Sequence, residues 1–589
     1  MKNNTQRGIL RRILDRSPLG AALPMTMLTL CGLGVSEKAS GTGSWVAMST
    51  SAPGGDNVGI CLLLPDGTVL AEGSSSNWYS LAPDSLGHYT DGGWGTRNNS
   101  TWGHQTGSTA VLKNGNVFVA GGENGNGSPQ VEIYHTGNGT WSTAINPAYF
   151  GNIQDGNAMV MPGGDVLIEP QGAVSPYSYD TFLFDPNNNT FSQTTGAPLQ
   201  GIWEACWVKL PDDNVLVIDS DDNGFGGTTA EQYDPSTQTW GDAQSGVPNI
   251  WPNVSGTKYV SESGPAFLLP NENAIFFGGN GATAVYNYTT GTWSSSASLP
   301  GTLGQKDAPG AMMVNGKILL AVSPQGNNSL NSTINGVGPT SFYEYDYTAN
   351  SGAGLDTPAP NAPSGYSQIS SRAQSLFLLD LPDGTVLLSG IGSQCWIYQP
   401  DGSPLPAGKP TIYSVSWNLN GSIHVTGTLF NGISGGASYG DDSQMDSNYP
   451  LLRFTDGSGN VTYGRSYNWS SVSVDNGSVV STEAILPSNV FDNGGAAYSL
   501  QVVCNGIASD PVTFYGPVWV DFVNYSSIFQ FGTFAFPYPT LAQGVSAVAS
   551  GGTIAIDSSS QPSVGTVTVP YTITKPMNII SVYGPSTVQ

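Results

Sequence analysis

Charged residues are scarce in this chain of 589 residues, and basic ones are scarcest. Only 10% of the residues are charged, with 17 Lys and Arg against 42 Asp and Glu. Six of the basic residues lie within the first 38 positions, which leaves 11 against 40 acidic residues beyond residue 40. A surface this acidic repels phosphate groups and anionic lipids. The sequence therefore predicts no nucleic-acid partner.

Long apolar runs are also missing. The nearest to one is LGAALPMTMLTLCGLGV (19–35), which follows a basic stretch and is interrupted by Gly and Pro. That order is typical of a signal peptide, and the run is too short for a membrane span. A disordered or mis-started leader is the alternative, since no clear cleavage site follows. We expect residues 1–40 to be a leader and the mature chain to be extracellular or at the cell surface, with no transmembrane span.

Cysteine and histidine number only five and four. Cys61, Cys206, Cys395 and Cys504 each lie in an apolar run without metal-ligand spacing, which predicts buried free thiols. There is no P-loop, no GxSxG or HExxH motif and no convincing pair of catalytic carboxylates. The motifs therefore predict no catalytic and no cofactor-binding residue.

Glycine (77 residues) and proline (40 residues) are abundant, and this composition favours short strands joined by turns over helices. A strand–turn–strand pattern recurs seven times, about 45 to 63 residues apart. The copies are ICLLLPDGTVLAEG (60–73), AVLKNGNVFVAGG (110–122), AMVMPGGDVLIEP (158–170), CWVKLPDDNVLVIDS (206–220), AFLLPNENAIFFGG (266–279), AMMVNGKILLAVS (311–323) and LFLLDLPDGTVLLSG (376–390).

Most copies continue with a third strand, a turn and an aromatic residue, as in VEIYHTGNGTW (131–141). Four strands per unit at this spacing are typical of kelch-type β-propeller blades. The seventh copy has no Trp strand of its own, whereas GTGSWVAMSTSAP (41–53) resembles the end of a blade that has no beginning. We therefore predict that the strand around Trp45 completes the seventh blade and closes the ring.

Tyr134 and His135 stand side by side, and phenolate and imidazole both suit copper. The repeat offers another interpretation, in which the aromatic packs within the blade and the next residue starts a turn. We favour the repeat because the other copies have comparable pairs at this place, namely Phe184–Asp185, Tyr233–Asp234, Asn287–Tyr288 and Tyr345–Asp346.

The segment after the repeats includes PTIYSVSWNLNGSIHV (410–425), GRSYNWSS (464–471) and YSLQVVCNGIASDPVTF (498–514). Together with the seven copies, it resembles the galactose oxidase and glyoxal oxidase family, and most of all bacterial kelch-repeat proteins of that type with GASYGDD, NYP and YNWSS phrases. The resemblance implies an all-β chain with a seven-bladed kelch-type β-propeller at 41–409. An immunoglobulin-like early-set β-sandwich would follow at 410–516.

The family's oxidases hold copper with a Tyr–His pair ahead of the last blade's inner strand, a second Tyr and an early-set His. They also cross-link a Cys to one Tyr. Here SSRAQS (370–375) precedes that strand, and Tyr467 and Asn468 stand where the early-set His is expected. His88 and His104 flank a loop between blades and cannot replace the full set. We therefore expect the copper ligands to be missing.

The tail, residues 517–589, looks like the entry to a right-handed parallel β-helix. Its stretches GTFAFPYPTLAQGVSAVASGGTIAID (532–557) and ITKPMNIISVYGP (573–585) would supply a capping helix and about one coil. Such solenoids need several repeats to bury a core, so the short coil is either a vestige or stacks on something else.

Asp219, Asp221 and Asn223 alternate as in the first half of a calcium loop, with Gly224 at the turn. Because Ala230 stands where the loop needs Glu, a solvated acidic turn is the default interpretation, and we predict no metal site beyond these weak calcium candidates. A second acidic run, GDDSQMDSN (440–448), permits the same two interpretations.

Two functions follow from different classes. The first is a non-catalytic propeller protein that binds a carbohydrate or a protein partner at its face. The alternative is a copper radical oxidase that acts on primary alcohols or aldehydes and releases hydrogen peroxide, and it stands on the fold alone. Aromatic residues between strands or blades could form a sugar platform, namely Trp78, Trp94, Trp102, Trp203 and Trp251.

Overall fold

One turn geometry repeats in all seven copies. The residue after each first strand donates its N–H to the carbonyl oxygen of the residue four positions later, at 2.7–2.8 Å. Its own carbonyl oxygen accepts the N–H of the residue three positions later, at 2.7–3.0 Å. In the first copy these are Leu64, Thr68 and Gly67, and the φ of Gly67 is 76°. Glycine occupies this left-handed position in five copies, whereas Asp213 and Glu272 adopt it in the other two.

The structure, a computed structural model, describes residues 42–589 except for 127–128, 148–150, 155, 171–179, 197, 199–200, 203–204, 221–226, 252–262, 326–337, 361–368, 441, 476, 561 and 567–570. The predicted leader, 1–40, lies outside the described residues. No helix in the described part is both long and apolar enough to cross a membrane.

After β1 (Ser44–Ala47), five consecutive four-stranded antiparallel blades follow along the chain. Their strands are β2 (Cys61–Leu63), β3 (Val69–Glu72), β4 (Trp78–Ala82), β5 (Gly93–Thr96), β6 (Ser108–Val111), β7 (Val117–Ala120), β8 (Val131–His135), β9 (Thr140–Trp141), β10 (Ala158–Val160), β11 (Val166–Ile168), β12 (Phe182–Asp185), β13 (Thr190–Gln193), β14 (Trp207–Lys209), β15 (Val215–Ile218), β16 (Thr229–Asp234), β17 (Thr239–Ser245), β18 (Ser263–Leu268), β19 (Ala274–Gly278), β20 (Thr283–Asn287) and β21 (Thr292–Ser295).

The next two copies complete the propeller. Their elements are β22 (Leu303–Gly304), β23 (Pro309–Met312), β24 (Ile318–Pro324), β25 (Ser341–Asp346), the one-turn helix α1 (Ala349–Gly352), β26 (Leu355–Pro358), β27 (Phe377–Asp380), β28 (Val386–Ser389) and β29 (Trp396–Gln399). Short 3-10 turns lie at Pro53–Gly55, Ala373–Ser375 and, after β29, Pro406–Gly408.

The number of separate four-stranded blades is six, so the prediction of seven is wrong. The strands of the sixth copy, β23–β26, do not stand alone, because the inner edge of β23 pairs with a strand from the segment after the repeats. Pro309, Gly310 and Ala311 lie opposite Tyr439, Ser438 and Ala437. The result is one seven-stranded sheet in place of a seventh blade.

The ring closes where the sequence predicts. β1 pairs antiparallel with β29, Ser44 opposite Gln399, and completes the sheet of β27–β29. The ring of Trp45 lies 4.7 Å from Phe342 and 4.8 Å from Tyr398. This contact joins the closing blade to the sixth copy.

Four of the outer-strand tryptophans share one role. The indole N–H of Trp45 donates to Pro360 O at 3.1 Å, and that of Trp141 to Asn98 O at 2.8 Å. Trp240 and Trp293 likewise reach the preceding blade, at 2.8 and 3.3 Å. Each of these residues thus links two blades.

The repeat interpretation of Tyr134–His135 is confirmed. Tyr134 is buried in β8 with its ring 5.2 Å from Trp141, and His135 ends the strand. Equivalent contacts are Phe184–Phe191, Tyr233–Trp240 and Tyr286–Trp293. In the fifth copy the equivalent pair is therefore Tyr286–Asn287, one residue earlier than predicted, because Tyr286 is the residue that faces the Trp.

Most of the segment after the propeller forms a separate eight-stranded antiparallel sheet, the second sheet. Its elements are β30 (Thr411–Trp417), β31 (Ile423–Thr428), β32 (Gly436–Tyr439), β33 (Ser443–Asp446), β34 (Leu451–Thr455), β35 (Val461–Tyr467), β36 (Val480–Ile485), α2 (Ser488–Phe491), β37 (Ala497–Cys504), β38 (Ile507–Ala508) and β39 (Val512–Tyr515). β32 and β33 leave this sheet and join β23.

The hairpin of β32 and β33, which we call the axial hairpin, fills the centre of the propeller. It contacts the first strands of the other repeat copies as well as β23, namely β2, β6, β10, β18 and β27. At β14, Gln444 Nε2 donates to Trp207 O at 3.4 Å. Side chains also bond it to the ring, since Thr109 Oγ1 donates to Gln444 O at 3.0 Å and Ser443 Oγ to Gly107 O at 2.7 Å.

The tail contains parallel strands. They are β40 (Val518–Val520), β41 (Thr553–Asp557), β42 (Val564–Gly565), β43 (Asn578–Val582) and β44 (Thr587–Val588), with α3 (Leu541–Ala547) between β40 and β41. β41 pairs with both β40 and β43, and β42 pairs with β44. The helix falls where the capping helix is predicted; the boundaries 41–409, 410–516 and 517–589 stay predictions.

Deleting residues 41–50 should open the propeller. The deletion removes the ladder of β1 and the Trp45 side chain, whose loss alone costs about 3 kcal/mol. We expect a clearly lower midpoint in urea unfolding. Trp293→Ala is the control, because it removes an outer-strand tryptophan from a blade that stays closed and should cost less. Equal stability of the deletion and the full chain would contradict the closure.

Candidate functional site

A cavity of about 450 Å³ opens where the axial hairpin ends. Tyr439 and Asp442 of the hairpin line it, together with residues from the first, second, sixth and seventh copies. Its walls are polar, with carboxyl, amide and hydroxyl groups, and one guanidinium, Arg372. Its volume is within the range of small-molecule sites in proteins.

Glu72 is the most buried carboxyl of this cavity. It ends β3, and only 3% of the residue is exposed. Burial raises its pKa to about 8, although backbone hydrogen bonds at Ile60 and Thr106 oppose the shift. Its Oε1 has no hydrogen-bond partner among the described residues. Glu72 therefore presents an unused acceptor to the cavity.

Asp307 lies on another wall and has a φ of 45°, which is rare for a residue with a side chain. Burial raises its pKa to about 6, Lys306 and Arg372 oppose the shift, and Glu123 adds to it. Its Oδ1 also lacks a partner in the described part of the chain.

The hairpin fits closely against this aspartate. Gly440 donates its N–H to Ala308 O at 3.3 Å, and a Cβ at Gly440 would lie 2.8 Å from the Cα of Asp307. A side chain at position 440 would therefore force the hairpin away from the cavity wall.

Thr106 adds a second strained position, with a φ of 56°. A β-branched residue in this region costs about 1–3 kcal/mol and is held there by its surroundings. Thr106 Oγ1 accepts hydrogen bonds from Asn124 N at 3.3 Å and Asn124 Nδ2 at 3.0 Å. Strained residues cluster at functional sites, and two of them line this cavity.

A buried ion pair anchors the loop that carries Thr106. His104 Nε2 lies 3.1 Å from Glu132 Oε2, and His104 Nδ1 lies 2.8 Å from Gly121 O. Both ring nitrogens of His104 therefore lie within hydrogen-bond distance of an oxygen of the fold. Glu132 also accepts the N–H groups of Thr101 and Trp102, at 2.9 and 3.1 Å.

Burial by itself raises the pKa of Glu132, but the hydrogen bonds from His104, Thr101 and Trp102 outweigh it and the pKa is lowered from 4.5. A lowered carboxyl pKa stabilises the fold above the unfolded value. That contribution is lost as the pH falls through the folded value. The loop beside the cavity is therefore anchored at neutral pH and less so in strong acid.

The donors at this site do not fit copper. No histidine lines the cavity, and its phenol, Tyr439, donates to Gln374 O. His104 contacts Gly121 O and Glu132 with its two ring nitrogens, and His88 is exposed beside Asp84. His135 is the last residue of β8, and His424 lies in β31. A copper radical site needs nitrogen ligands that converge with a phenolate.

The other residues singled out in the sequence are scattered. Trp78 and Trp251 are buried, with indole N–H groups that donate to Ser100 Oγ at 3.0 Å and Gly227 O at 2.7 Å, so neither can serve as a sugar platform. Trp94 and Trp102 are half-buried outside the cavity. Trp203 lies outside the described residues.

Of the calcium candidates, Asp219 is buried at the end of β15, whereas Asp221 and Asn223 lie outside the described residues. Calcium there stays a prediction. The second acidic run belongs to the axial hairpin. Within the described ranges, no group of three or more His, Cys, Asp or Glu has the arrangement of a metal site. The four described cysteines are buried and free, as predicted.

Comparison of the sequence with protein-family models and with curated proteins finds no match. Solved structures with a similar fold include one described as a novel fungal alcohol oxidase with catalytic diversity among the AA5 family, in complex with copper. It has 14% identity and a TM-score of 0.46, over 81% of this chain and 99% of that chain.

Two further structures are similar. The structure of YjhT has 16% identity and a TM-score of 0.35, over 52% of this chain and 99% of that chain. The structure of YCF48 bound to D1 peptide has 12% identity and a TM-score of 0.39, over 62% of this chain and 97% of that chain. These similarities concern the propeller fold and say nothing of the site.

Glu132→Gln should destabilise the protein by about 3–5 kcal/mol at pH 7, because it breaks a buried pair. The difference from the unmodified chain should shrink between pH 7 and a strongly acidic pH, because the wild-type carboxyl is protonated as the pH falls through its lowered pKa. Urea unfolding at both pH values measures this. Asp510→Asn is the control, since it removes an exposed pair with Lys409 that contributes at most about 1 kcal/mol. Equal losses in the two variants would contradict the anchoring role.

Proposed function

We propose that this chain is a non-catalytic kelch-type propeller protein that binds a carbohydrate in the cavity at the end of the axial hairpin. The observation that carries the proposal is the pair of unused acceptors, Glu72 Oε1 and Asp307 Oδ1, in a polar cavity of about 450 Å³. Buried acceptors need donors. Sugars present several hydroxyl donors on a small frame, and a cavity suits them better than it suits the flat surface of a protein partner.

Membership of the galactose oxidase-like group of kelch proteins is part of this proposal, as is the bacterial type. So is the early-set assignment of residues 410–516, which is supported by the antiparallel order β30-β31-β36-β35-β34-β37. Export to the cell surface or beyond would bring the protein to extracellular polysaccharides. Such export depends on the predicted leader, residues 1–40.

Binding of oligosaccharides to the full chain tests the proposal, by a glycan array followed by calorimetry. Ser74→Trp should weaken binding at least tenfold, because Ser74 is an exposed residue of the cavity lining and a large side chain there would block it. Ser294→Trp is the matched control on the exposed outer strand of another blade and should bind normally. No binding by the full chain, or equal binding by both variants, would contradict the proposal.

Copper loading tests the alternative, a copper radical oxidase. Because no histidine lines the cavity, we expect less than one tightly held copper per chain after desalting. We also expect no radical absorption and no hydrogen peroxide from galactose or glyoxal-type substrates. Stoichiometric copper with peroxide turnover would overturn the binding proposal in favour of the oxidase.

A further inference from the structure

Carboxyl groups outnumber cations in the wall of the cavity. Glu72, Glu123, Asp307 and Asp442 line it, and Arg372 is its only lining Lys or Arg among the described residues. We propose that the ligand carries a primary ammonium group, as an amino sugar does, and that Glu72 and Asp307 recognise this group. The inference rests on the proposed carbohydrate-binding function and specifies its ligand class.

The buried carboxyl of Glu72 favours a positively charged ligand over a neutral sugar. Its carboxyl is buried, lines the cavity and has one oxygen without a partner. A buried carboxylate is costly unless a cation pairs with it, and burial raises the pKa of Glu72 to about 8. An ammonium group brings three donors and the charge, whereas a hydroxyl brings one donor and no charge.

The remaining walls suit the rest of an amino sugar. The side chains of Asn124, Gln374 and Ser74 place amide and hydroxyl groups on the same cavity, beside the guanidinium of Arg372. Arg372 can donate to the ring and hydroxyl oxygens of the sugar. The net charge of −25 attracts cations over longer distances.

The test compares two disaccharides that differ in the acetyl groups, one of glucosamine and one of N-acetylglucosamine. Calorimetry uses the full chain at pH 7 and 150 mM salt, which screens non-specific attraction to the acidic surface. We expect glucosamine disaccharide to bind about ten- to a hundredfold more tightly, the contribution of one charge-assisted hydrogen bond. Equal affinity, or preference for the acetylated form, would overturn the inference.

Glu72→Gln should remove most of this preference, because it weakens binding of the glucosamine disaccharide far more than binding of the acetylated one. Glu169→Gln is the matched control, because Glu169 occupies the same place in VLIE (166–169) that Glu72 occupies in VLAE (69–72). It is as buried as Glu72 but does not line the cavity. The same loss in both variants would contradict recognition by Glu72. Should Glu72→Gln not fold, Asp307→Asn provides the same comparison.

The two proposals fail in different ways. If other, neutral oligosaccharides bind and glucosamine disaccharide does not, the ammonium inference is wrong and carbohydrate binding stands. If no saccharide binds at all, both are wrong. If a lysine peptide binds better than glucosamine disaccharide, the ligand is a protein and the inference is again wrong.

Discussion

The contact between the axial hairpin and the ring of inner strands is the constraint on which the rest of the structure depends. A propeller leaves a channel where its first strands converge, and here β32 and β33 fill it. The hairpin adds to the edge of β23, bonds to β6 and β14, and ends against Asp307. The eleven-residue stretch 436–446 thereby lines the cavity and pairs with the ring, and the chain connects it directly to β31 and β34 of the second sheet.

Much of the propeller could be predicted from the sequence, because its information is local. Each turn needs a left-handed residue four positions after the strand, and in four copies an outer-strand aromatic follows seven residues after the aromatic it packs on, as with Tyr134 and Trp141. Closure by Trp45 was predictable as well, since an unpaired blade end and an incomplete last blade complement each other. The merging of the sixth copy with β32 was not, because pairing between strands more than a hundred residues apart leaves no local pattern.

The candidate site could not be predicted, for the same reason. Glu72 occupies a repeat position that Glu169 shares, and nothing in either motif tells which carboxyl lines a cavity. Thr106 and Asp307 carry no sign of their left-handed backbone, which the surrounding contacts impose. Of the tryptophans suggested as a platform, Trp78 and Trp251 are instead buried in the core. The acidic run 440–448 was noted in the sequence, but nothing there indicated that it forms a hairpin at this cavity.

Closure by the first described strand sets an order on how the chain acquires its structure. Gln394 Nε2 donates to Met48 O at 3.1 Å across 346 residues of sequence. During synthesis β1 has to wait for β29, whereas every other blade draws its strands from one continuous stretch. Long loops add only a slowly growing entropic cost, about 0.6 kcal/mol per doubling, but they delay the contacts that they close. Until that moment β1 and β29 both expose unpaired edges, so the nascent chain passes through a stage in which strand pairing with other molecules competes with completion of its own ring.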